Sequence, residues 1–175
     1  VVREAGSHGM NRAIAQGCAA ATRSGAARLA VVPVDVPLLT GMEFDRLVDE
    51  LSRSAVAPEP VMGIVPSADR AGTNWLCIGT DFPFTPMYGS DSYLRHLEHG
   101  RAEGLRPVTL SSPLVSLDID EEIDLRAFLA FCREHPEFQA TQTWRFLQES
   151  GRYLAADEVA CSNPKEESNY ACSKS

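Results

Sequence analysis

The chain has no long hydrophobic run, no excess of basic residues and no paired-cysteine motif. None of its 175 residues belongs to a stretch that approaches the ~18 apolar residues of a membrane-spanning helix. Lys and Arg number 16 against 24 Asp and Glu, a formal charge of -8, and they form no stripe that suits a phosphate backbone. We therefore expect neither a membrane nor a nucleic acid as a partner.

The cysteines are odd in number, five, and no two of them form a C-x-x-C pair. Such spacing is typical of reduced thiols rather than of a disulfide framework. Because thiols stay reduced in the cytosol, we expect a cytoplasmic protein. A hydrophobic content of 44% and a mean hydropathy of -0.16 are those of one ordinary globular domain.

Apolar periodicity predicts helices and strands in alternation. Helices are expected over 10–24, 124–132 and 141–154. A further helix is expected to begin after the capping residue Thr40, and another to follow the loop 83–93 and end at about residue 101. Strands are expected over 29–34, 61–65, 75–79, 107–110 and 114–117, and the first, second and last of these are expected to be buried. This pattern predicts an α/β fold of three layers around a mostly parallel, Rossmann-like sheet. Residues 1–155 would form the domain, and the polar residues 156–175 a disordered tail.

The stretch 29–40 combines a predicted strand with a carboxylate. Residues 29–34 form a β-branched apolar run, as in a strand buried on both faces of a parallel sheet, and Asp35 follows it directly. Pro37 then turns the chain out of the sheet. Open α/β sheets bind ligands at the carboxyl ends of their strands, which makes Asp35 a candidate binding residue. The alternative is an acid that caps the next turn.

A second pair of acids, Asp118 and Asp120, follows the predicted strand 114–117. In a parallel sheet these acids and Asp35 would stand on one edge, where oxygen ligands suit Mg²⁺ bound between carboxylates and phosphates. The alternative is an acidic cap for the helix that follows, an interpretation we prefer for Asp118 and not for Asp120.

Two polar loops have the composition of anion-binding sites. In the loop 69–74, Gly72 permits a close backbone approach, and Thr73 and Asn74 offer hydrogen-bond donors. The segment 88–92 opens a helix, where free N–H groups and serine hydroxyls favour an anion. Ordinary turn and capping roles would also explain both loops.

His96 and His99 lie three residues apart on one predicted helix. Neither has a cysteine or an acid at the spacing of metal ligands, so we expect both to be surface residues.

The order of the motifs is similar to that of one known family. Gly-Met-Asn at 9–11, Pro-Val-Asp-Val-Pro-Leu-Leu at 33–39, Asp-Arg-Ala-Gly-Thr-Asn at 69–74, Tyr-Gly-Ser-Asp-Ser at 88–92 and Leu-Asp-Ile-Asp at 117–120 resemble the successive motifs of the 2-phospho-L-lactate guanylyltransferases of coenzyme F-420 biosynthesis. The resemblance covers about residues 9–132 and implies a MobA-like nucleotidyltransferase fold of the nucleotide-diphospho-sugar transferase type. The Asp-x-Pro-Leu-Leu piece is shared by many MobA-like enzymes, whereas the loop 69–74 is more specific.

The resemblance implies transfer of GMP from GTP to the phosphate of a three-carbon phospho-acid, with release of pyrophosphate. The acceptor stays open among 2-phospho-L-lactate, phosphoenolpyruvate and 3-phospho-D-glycerate, and a homodimer stays open as well. The alternatives are a molybdopterin nucleotidyltransferase, which the Gly-Thr-Asn loop disfavours, and a non-catalytic remnant that binds phosphometabolites.

The resemblance also implies the catalytic residues. Asp35 and Asp120 would be catalytic and would hold Mg²⁺, with Asp118 as a further metal ligand. Because the acceptor phosphate is already a nucleophile, alignment and charge neutralisation by the metal would suffice for catalysis.

The same resemblance implies the binding residues: Thr73, Gly89 and Ser92 for the acceptor, and Gly9 and Asn11 for the nucleotide. Members of the family begin with a strand and a loop that carries Lys and Arg and closes on the triphosphate. The residues at the start of this chain contain no equivalent. We therefore expect an N-terminally truncated form that, if it is the whole product, is weakly stable or inactive, whereas a full-length form would be an active enzyme.

Overall fold

The structure is a computed structural model, and it describes residues 9–55, 59–82 and 84–151. The predicted tail 156–175 lies outside this range. Contacts divide the chain into two compact units, with the division between Ala130 and Phe131. Among the described helices, none combines the length and the hydropathy that crossing a membrane requires.

Helices and strands are interleaved over residues 10–109 of the described chain, and helices follow. The elements are α1 (Met10–Arg23), β1 (Arg28–Val31), α2 (Gly41–Ser54), β2 (Val61–Pro66), β3 (Thr73–Gly79), α3 (Ser92–Ala102), β4 (Arg106–Thr109), α4 (Pro113–Ser116), α5 (Glu122–Glu134), a 3-10 helix (Pro136–Ala140) and α6 (Gln142–Ser150). The predicted strand over 114–117 is wrong. These residues form the short helix α4 because Pro113 suits a first helical position and the Ser112 hydroxyl accepts the N–H of Val115.

The four strands of the described residues form one sheet in the order β1-β3-β2-β4. β3 pairs antiparallel with both β1 and β2, and β2 pairs parallel with β4. Three strands therefore share one direction and β3 runs against them. The α/β class is confirmed, but the sheet is mixed at β3, because the connection 67–72 is too short for the crossover that parallel neighbours need.

Helices cover both faces of this sheet, which confirms the three layers. On one face α2 and α4 pack over the cluster that includes Leu47, Leu51, Val65, Trp75 and Val115. On the other face α3 contributes Tyr93 to a cluster with Met62, Ile64, Leu76 and Ile78 of the sheet. Successive residues of β2 and β3 enter opposite clusters, as the two-residue period of a strand requires. α2 begins as predicted, since Thr40 Oγ1 accepts the N–H of Glu43 at 3.2 Å.

β1 differs from its prediction. The strand ends at Val31, none of its residues is buried, and within the described sheet it is an edge strand paired with β3. The expectation of a strand over 29–34 buried on both faces is therefore wrong. Pro33, which cannot donate to a ladder, follows the observed end closely, and Val34 is fully exposed.

Gly63 of β2 lies where two side chains leave no room for a methyl group. A Cβ here would stand 2.8 Å from Leu51 Cδ2 and 2.8 Å from Trp75 Cζ3. We expect Gly63→Ala to lower the free energy of unfolding by about 1–3 kcal/mol, the usual cost of overpacking a filled core. The matched control is Gly17→Ala in α1, where nothing lies within 4 Å of the added Cβ and helix propensity should add up to about 1 kcal/mol. Urea denaturation measures both, and an unchanged midpoint for Gly63→Ala would contradict this packing.

Candidate active site

A cleft of about 490 Å³ opens at the edge of the sheet where β2 ends and β3 begins. It is lined by parts of three segments, 67–72, 89–91 and 118–124. Its carboxylates belong to Asp69, Asp91, Asp118, Asp120, Glu121 and Asp124. Because β3 runs against its neighbours, its first residue, Thr73, lies at the same edge as the last residues of β1, β2 and β4.

The loop 67–72 is held by its own hydrogen bonds. The Ser67 hydroxyl donates to Asp69 Oδ1 at 2.5 Å and accepts the N–H of Gly72 at 2.7 Å. The N–H of Ala71 donates to Asp69 Oδ1 at 2.9 Å. These bonds hold the pKa of Asp69 below its usual value, the bond from Ser67 most strongly. The loop therefore presents Gly72 to the cleft on a fixed backbone.

α3 begins at the cleft without a side-chain cap. Its N-cap residue, Asp91, has φ 55 and makes no capping hydrogen bond with its side chain. Gly89, with φ 121, adopts a conformation that side chains disfavour. The positive end of the helix dipole thus adjoins the segment 89–91, which lines the cleft. This geometry suits an anion, as the sequence predicts.

Thr73 and Ser92, both predicted to bind the acceptor, lie together beneath this segment. Their exposed fractions are 3% and 2%, and the Ser92 hydroxyl donates to Thr73 Oγ1 at 3.3 Å. His96 Nδ1 lies 3.0 Å from the same oxygen. His96 Nε2 accepts the N–H of Met87 at 3.1 Å, so the ring proton is on Nδ1 and donates to Thr73.

The prediction of a surface position is wrong for His96, which is fully buried. Its ring lies between Tyr88 and Phe84, with ring centroids 4.8 Å and 5.8 Å away. Burial lowers the pKa of His96 to about 4, and the positive charges of Arg95 and His99 act in the same direction. The sequence carried a signal for this position, because residues four apart on a helix, here Ser92 and His96, share a face.

The predicted metal ligands lie near one another, although not as predicted at the ends of two strands. The N–H of Ile119 donates to the backbone oxygen of Asp35 at 3.0 Å. Burial raises the pKa of Asp118, and the negative charges of Asp120 and Asp35 raise it further against an opposing hydrogen bond from Asn74. Asp118 and Asp120 line the cleft, and Asp35 is an exposed neighbour.

The capping role considered for Asp118 belongs to another acid. Asp124 Oδ2 accepts the N–H groups of Asp120 and Glu121 at 3.2 Å and 2.8 Å, at the start of α5. These two N–H groups are therefore satisfied by Asp124, and the carboxylates of Asp118 and Asp120 line the cleft.

The predicted nucleotide residues, Gly9 and Asn11, lie at the start of α1. Gly9 is the N-cap, with φ 84, and its carbonyl accepts the N–H of Ala13 at 3.2 Å. The Asn11 amide pairs with the backbone of Tyr88: Nδ2 donates to its oxygen at 3.0 Å, and Oδ1 accepts its N–H at 2.8 Å. Asn11 thus holds the loop before α3, and its contact with a nucleotide stays a prediction.

The carboxylates of the cleft have the oxygen chemistry that Mg²⁺ prefers. In the part of the chain that the structure describes, no group of three or more His, Cys, Asp or Glu residues is arranged to hold a metal by itself. Mg²⁺ commonly takes one or two carboxylates and completes its shell with phosphate oxygens and water. Asp118 and Asp120 fit such a partial set. A cation would offset the burial of the Asp118 charge and its repulsion by Asp120 and Asp35, which raise the pKa of Asp118.

Comparison with known proteins identifies similar sequences. A family model described as "Guanylyl transferase CofC like" matches residues 1–149. A phosphoenolpyruvate guanylyltransferase of Conexibacter woesei is 36% identical over 119 residues, which are 68% of this chain and 52% of that protein. A 3-phospho-D-glycerate guanylyltransferase of Phenylobacterium zucineum is 30% identical over 126 residues, 71% of this chain and 55% of that protein. The chain thus spans about half the length of these curated relatives.

A solved structure shares the fold. It is described as a nucleotide-diphospho-sugar transferase of Desulfovibrio desulfuricans G20, with a TM-score of 0.65 and 17% sequence identity. The match covers 86% of this chain and 63% of that one. The predicted fold type and the resemblance to the guanylyltransferases are therefore confirmed.

Proposed function

We propose that this chain, which belongs to the CofC-like guanylyl transferase family, transfers GMP from GTP to a three-carbon phospho-acid in coenzyme F-420 biosynthesis. An oxygen of the acceptor phosphate would attack the α-phosphorus of GTP. The bond from that phosphorus to the oxygen bridging to the β-phosphorus would break, and pyrophosphate would leave. No proton has to be removed from the nucleophile, because the acceptor phosphate is already anionic.

One observation carries this proposal: a single cleft joins a helix start suited to an anion with a pair of carboxylates suited to a cation. Gly89 and Asp91 adjoin the positive end of α3, and Asp118 and Asp120 line the same cleft. Two negatively charged substrates can react there only if their charges are neutralised. The helix start would supply part of that neutralisation and Mg²⁺ the rest.

The chain's own residues would act mainly by positioning. The segment around Gly89, supported by Thr73 and Ser92, would hold the phosphate and carboxylate of the acceptor. Asp118 and Asp120, with Asp35 beside them, would hold Mg²⁺, which supplies charge neutralisation at the α-phosphate when bound. Gly9 and Asn11 would contribute to the nucleotide side through the start of α1.

We propose an acceptor that carries a phosphate and a carboxylate on three carbons. Two similar proteins are named for phosphoenolpyruvate and 3-phospho-D-glycerate, and these compounds share that pattern. We place the reaction in the cytosol, because the cysteines of the described residues, Cys18, Cys77 and Cys132, are free thiols.

The test is pyrophosphate release from GTP and Mg²⁺ with phosphoenolpyruvate, 3-phospho-D-glycerate and 2-phospho-L-lactate in parallel. With a full-length form of the protein, we expect pyrophosphate release with one acceptor and loss of that release in Asp35→Asn. Asp45→Asn, which changes an exposed acid of α2, should release pyrophosphate normally. Titration calorimetry with GTP and with each acceptor accompanies the assay. Absence of GTP binding would overturn catalysis by this chain, and retained binding of an acceptor would then indicate a phosphometabolite-binding protein instead.

A further inference from the structure

His96 connects three segments that border the cleft. The residue belongs to α3, its Nδ1 lies 3.0 Å from Thr73 Oγ1 at the start of β3, and its Nε2 accepts the N–H of Met87 at 3.1 Å. The ring is fully buried, between Phe84 and Tyr88. None of its nitrogens is left for a ligand, so its contribution to the site must pass through the groups that it holds.

The first of these groups is the Thr73 hydroxyl. Its oxygen receives hydrogen bonds from His96 Nδ1 at 3.0 Å and from the Ser92 hydroxyl at 3.3 Å. A hydroxyl oxygen has two lone pairs, and both are then in use. The Thr73 proton is therefore left to be donated elsewhere, and Gly72, the next residue toward the cleft, lines the cavity.

The second group is the backbone that leads to Gly89. Met87 and Tyr88 have consecutive N–H groups, which are bound by His96 Nε2 at 3.1 Å and by Asn11 Oδ1 at 2.8 Å. These side chains belong to different helices, α3 and α1. The next residue, Gly89, lines the cleft. The position of this lining backbone is thus set from both sides.

We propose that His96 is a positioning residue of the acceptor subsite. As a neutral ring with its proton on Nδ1, it orients the Thr73 hydroxyl as a donor and fixes the backbone at Gly89, and both then meet the anionic groups of the acceptor. His96 itself does not touch the acceptor. The inference rests on the proposed function. It adds a residue that affects binding of the acceptor and not of GTP.

Two substitutions separate the two hydrogen bonds of the ring. In His96→Asn the amide nitrogen takes the place of Nδ1 and keeps a donor for Thr73. In His96→Gln the amide oxygen takes the place of Nε2 and keeps an acceptor for Met87. The matched control is His99→Gln, one turn along α3, where the ring lies 6.4 Å from the Phe84 ring and is not bonded to Thr73 or Met87.

We expect His96→Gln to raise the KM for the acceptor about tenfold, since an unmade buried hydrogen bond has about this effect on binding. His96→Asn should raise it less, because it keeps the bond to Thr73. The KM for GTP should stay within about twofold in both, and His99→Gln should match the unsubstituted chain. Equal increases in both KM values, or a fall in kcat alone, would overturn the proposal.

A measurement on the unsubstituted chain keeps the test decisive if a variant does not fold. The ¹⁵N shifts of the His96 ring should show a proton on Nδ1 and none on Nε2 at pH 7, and the reverse tautomer would refute the assignment. A chain that releases no pyrophosphate with any acceptor would refute the proposed function and this inference with it. An active chain with an unaltered acceptor KM in His96→Gln would refute this inference alone.

Discussion

Asp118→Asn is expected to slow pyrophosphate release by about 10²–10³-fold, the range found when one electrostatic partner of a transition state is removed. The substitution keeps the shape of the side chain and removes its charge. Asp118 lines the cleft together with Asp120, and its carboxylate is the more enclosed of the pair. Loss of its charge would weaken the hold on Mg²⁺, which the proposed reaction needs at the α-phosphate.

The same substitution should stabilise the fold when Mg²⁺ is absent. The folded-state pKa of Asp118 is raised above its ordinary value of 3.8, because burial and the neighbouring charges of Asp120 and Asp35 disfavour the ionised form. The folded protein therefore binds this proton more tightly than the unfolded chain does. The resulting destabilisation is fully present at neutral pH and fades as pH falls through the folded pKa. Asparagine has no charge to bury and removes it.

Thermal unfolding with and without MgCl₂ at pH 7 measures both effects. Mg²⁺ should raise the Tm of the unsubstituted chain, because it binds the native state. Asp118→Asn should have a higher Tm without Mg²⁺ and a smaller increase in Tm when Mg²⁺ is added. Asp45→Asn is the control, since this acid is exposed and does not line the cleft. A lower Tm for Asp118→Asn without Mg²⁺, or an equal gain in both proteins, would contradict the assignment of a cation site here.

Acidification from pH 7 to pH 4 is expected to cost about 3 kcal/mol of stability through His96 alone, at about 1.4 kcal/mol per pKa unit. The unfolded ring has its ordinary pKa of 6.5, and the buried ring a pKa of about 4. A depressed pKa means that the unfolded chain takes up the proton first. The stabilisation is therefore complete above pH 6.5 and is lost progressively as pH falls to about 4.

Urea unfolding at intervals between pH 7 and pH 4 tests this expectation. Other groups titrate in the same range: Asp69 has a lowered pKa and loses stability on acidification, whereas Asp118 has a raised pKa and gains it. Both proteins share these contributions, so they cancel in the difference between the free energies of unfolding of the unsubstituted chain and His96→Gln. That difference should shrink by about 3 kcal/mol as pH falls. His99→Gln keeps the buried His96 ring and should still lose stability as pH falls. Parallel profiles for the unsubstituted chain and His96→Gln would contradict a buried neutral ring.

Local sequence determined most of the helices. Thr40 caps α2 through Glu43 as predicted, and α1, α3 and α6 begin within a few residues of the predicted positions. Capping side chains and apolar faces act over one or two turns, so their effect is visible in a short stretch of sequence. The prediction for 114–117 is wrong because a short, mostly apolar run suits a strand and a short helix equally, and Pro113 favours the helix.

Apolar runs predicted where strands form but not how they pair. The short loop 67–72 returns β3 antiparallel between β1 and β2, and this pairing brings Thr73 to the edge where the other strands end. A buried parallel strand and a half-buried edge strand have similar composition, so β1 was expected to be more enclosed than it is. The predicted gathering of acids nevertheless holds, because the backbone of Ile119 pairs with that of Asp35.

The sequence by itself determined the fold class, the family and the chemical types of the site: carboxylates, a glycine loop and a helix start. The fold class, the family and these chemical types follow from which residues are present and from their order along the chain. Only the tertiary structure decided the part played by His96, which contacts Thr73 and Met87 across segments 23 and 9 residues away. It likewise decided that Asn11 holds the backbone of Tyr88, 77 residues away. Burial and hydrogen-bond partners arise from contacts between distant segments, and residue spacing does not specify these contacts.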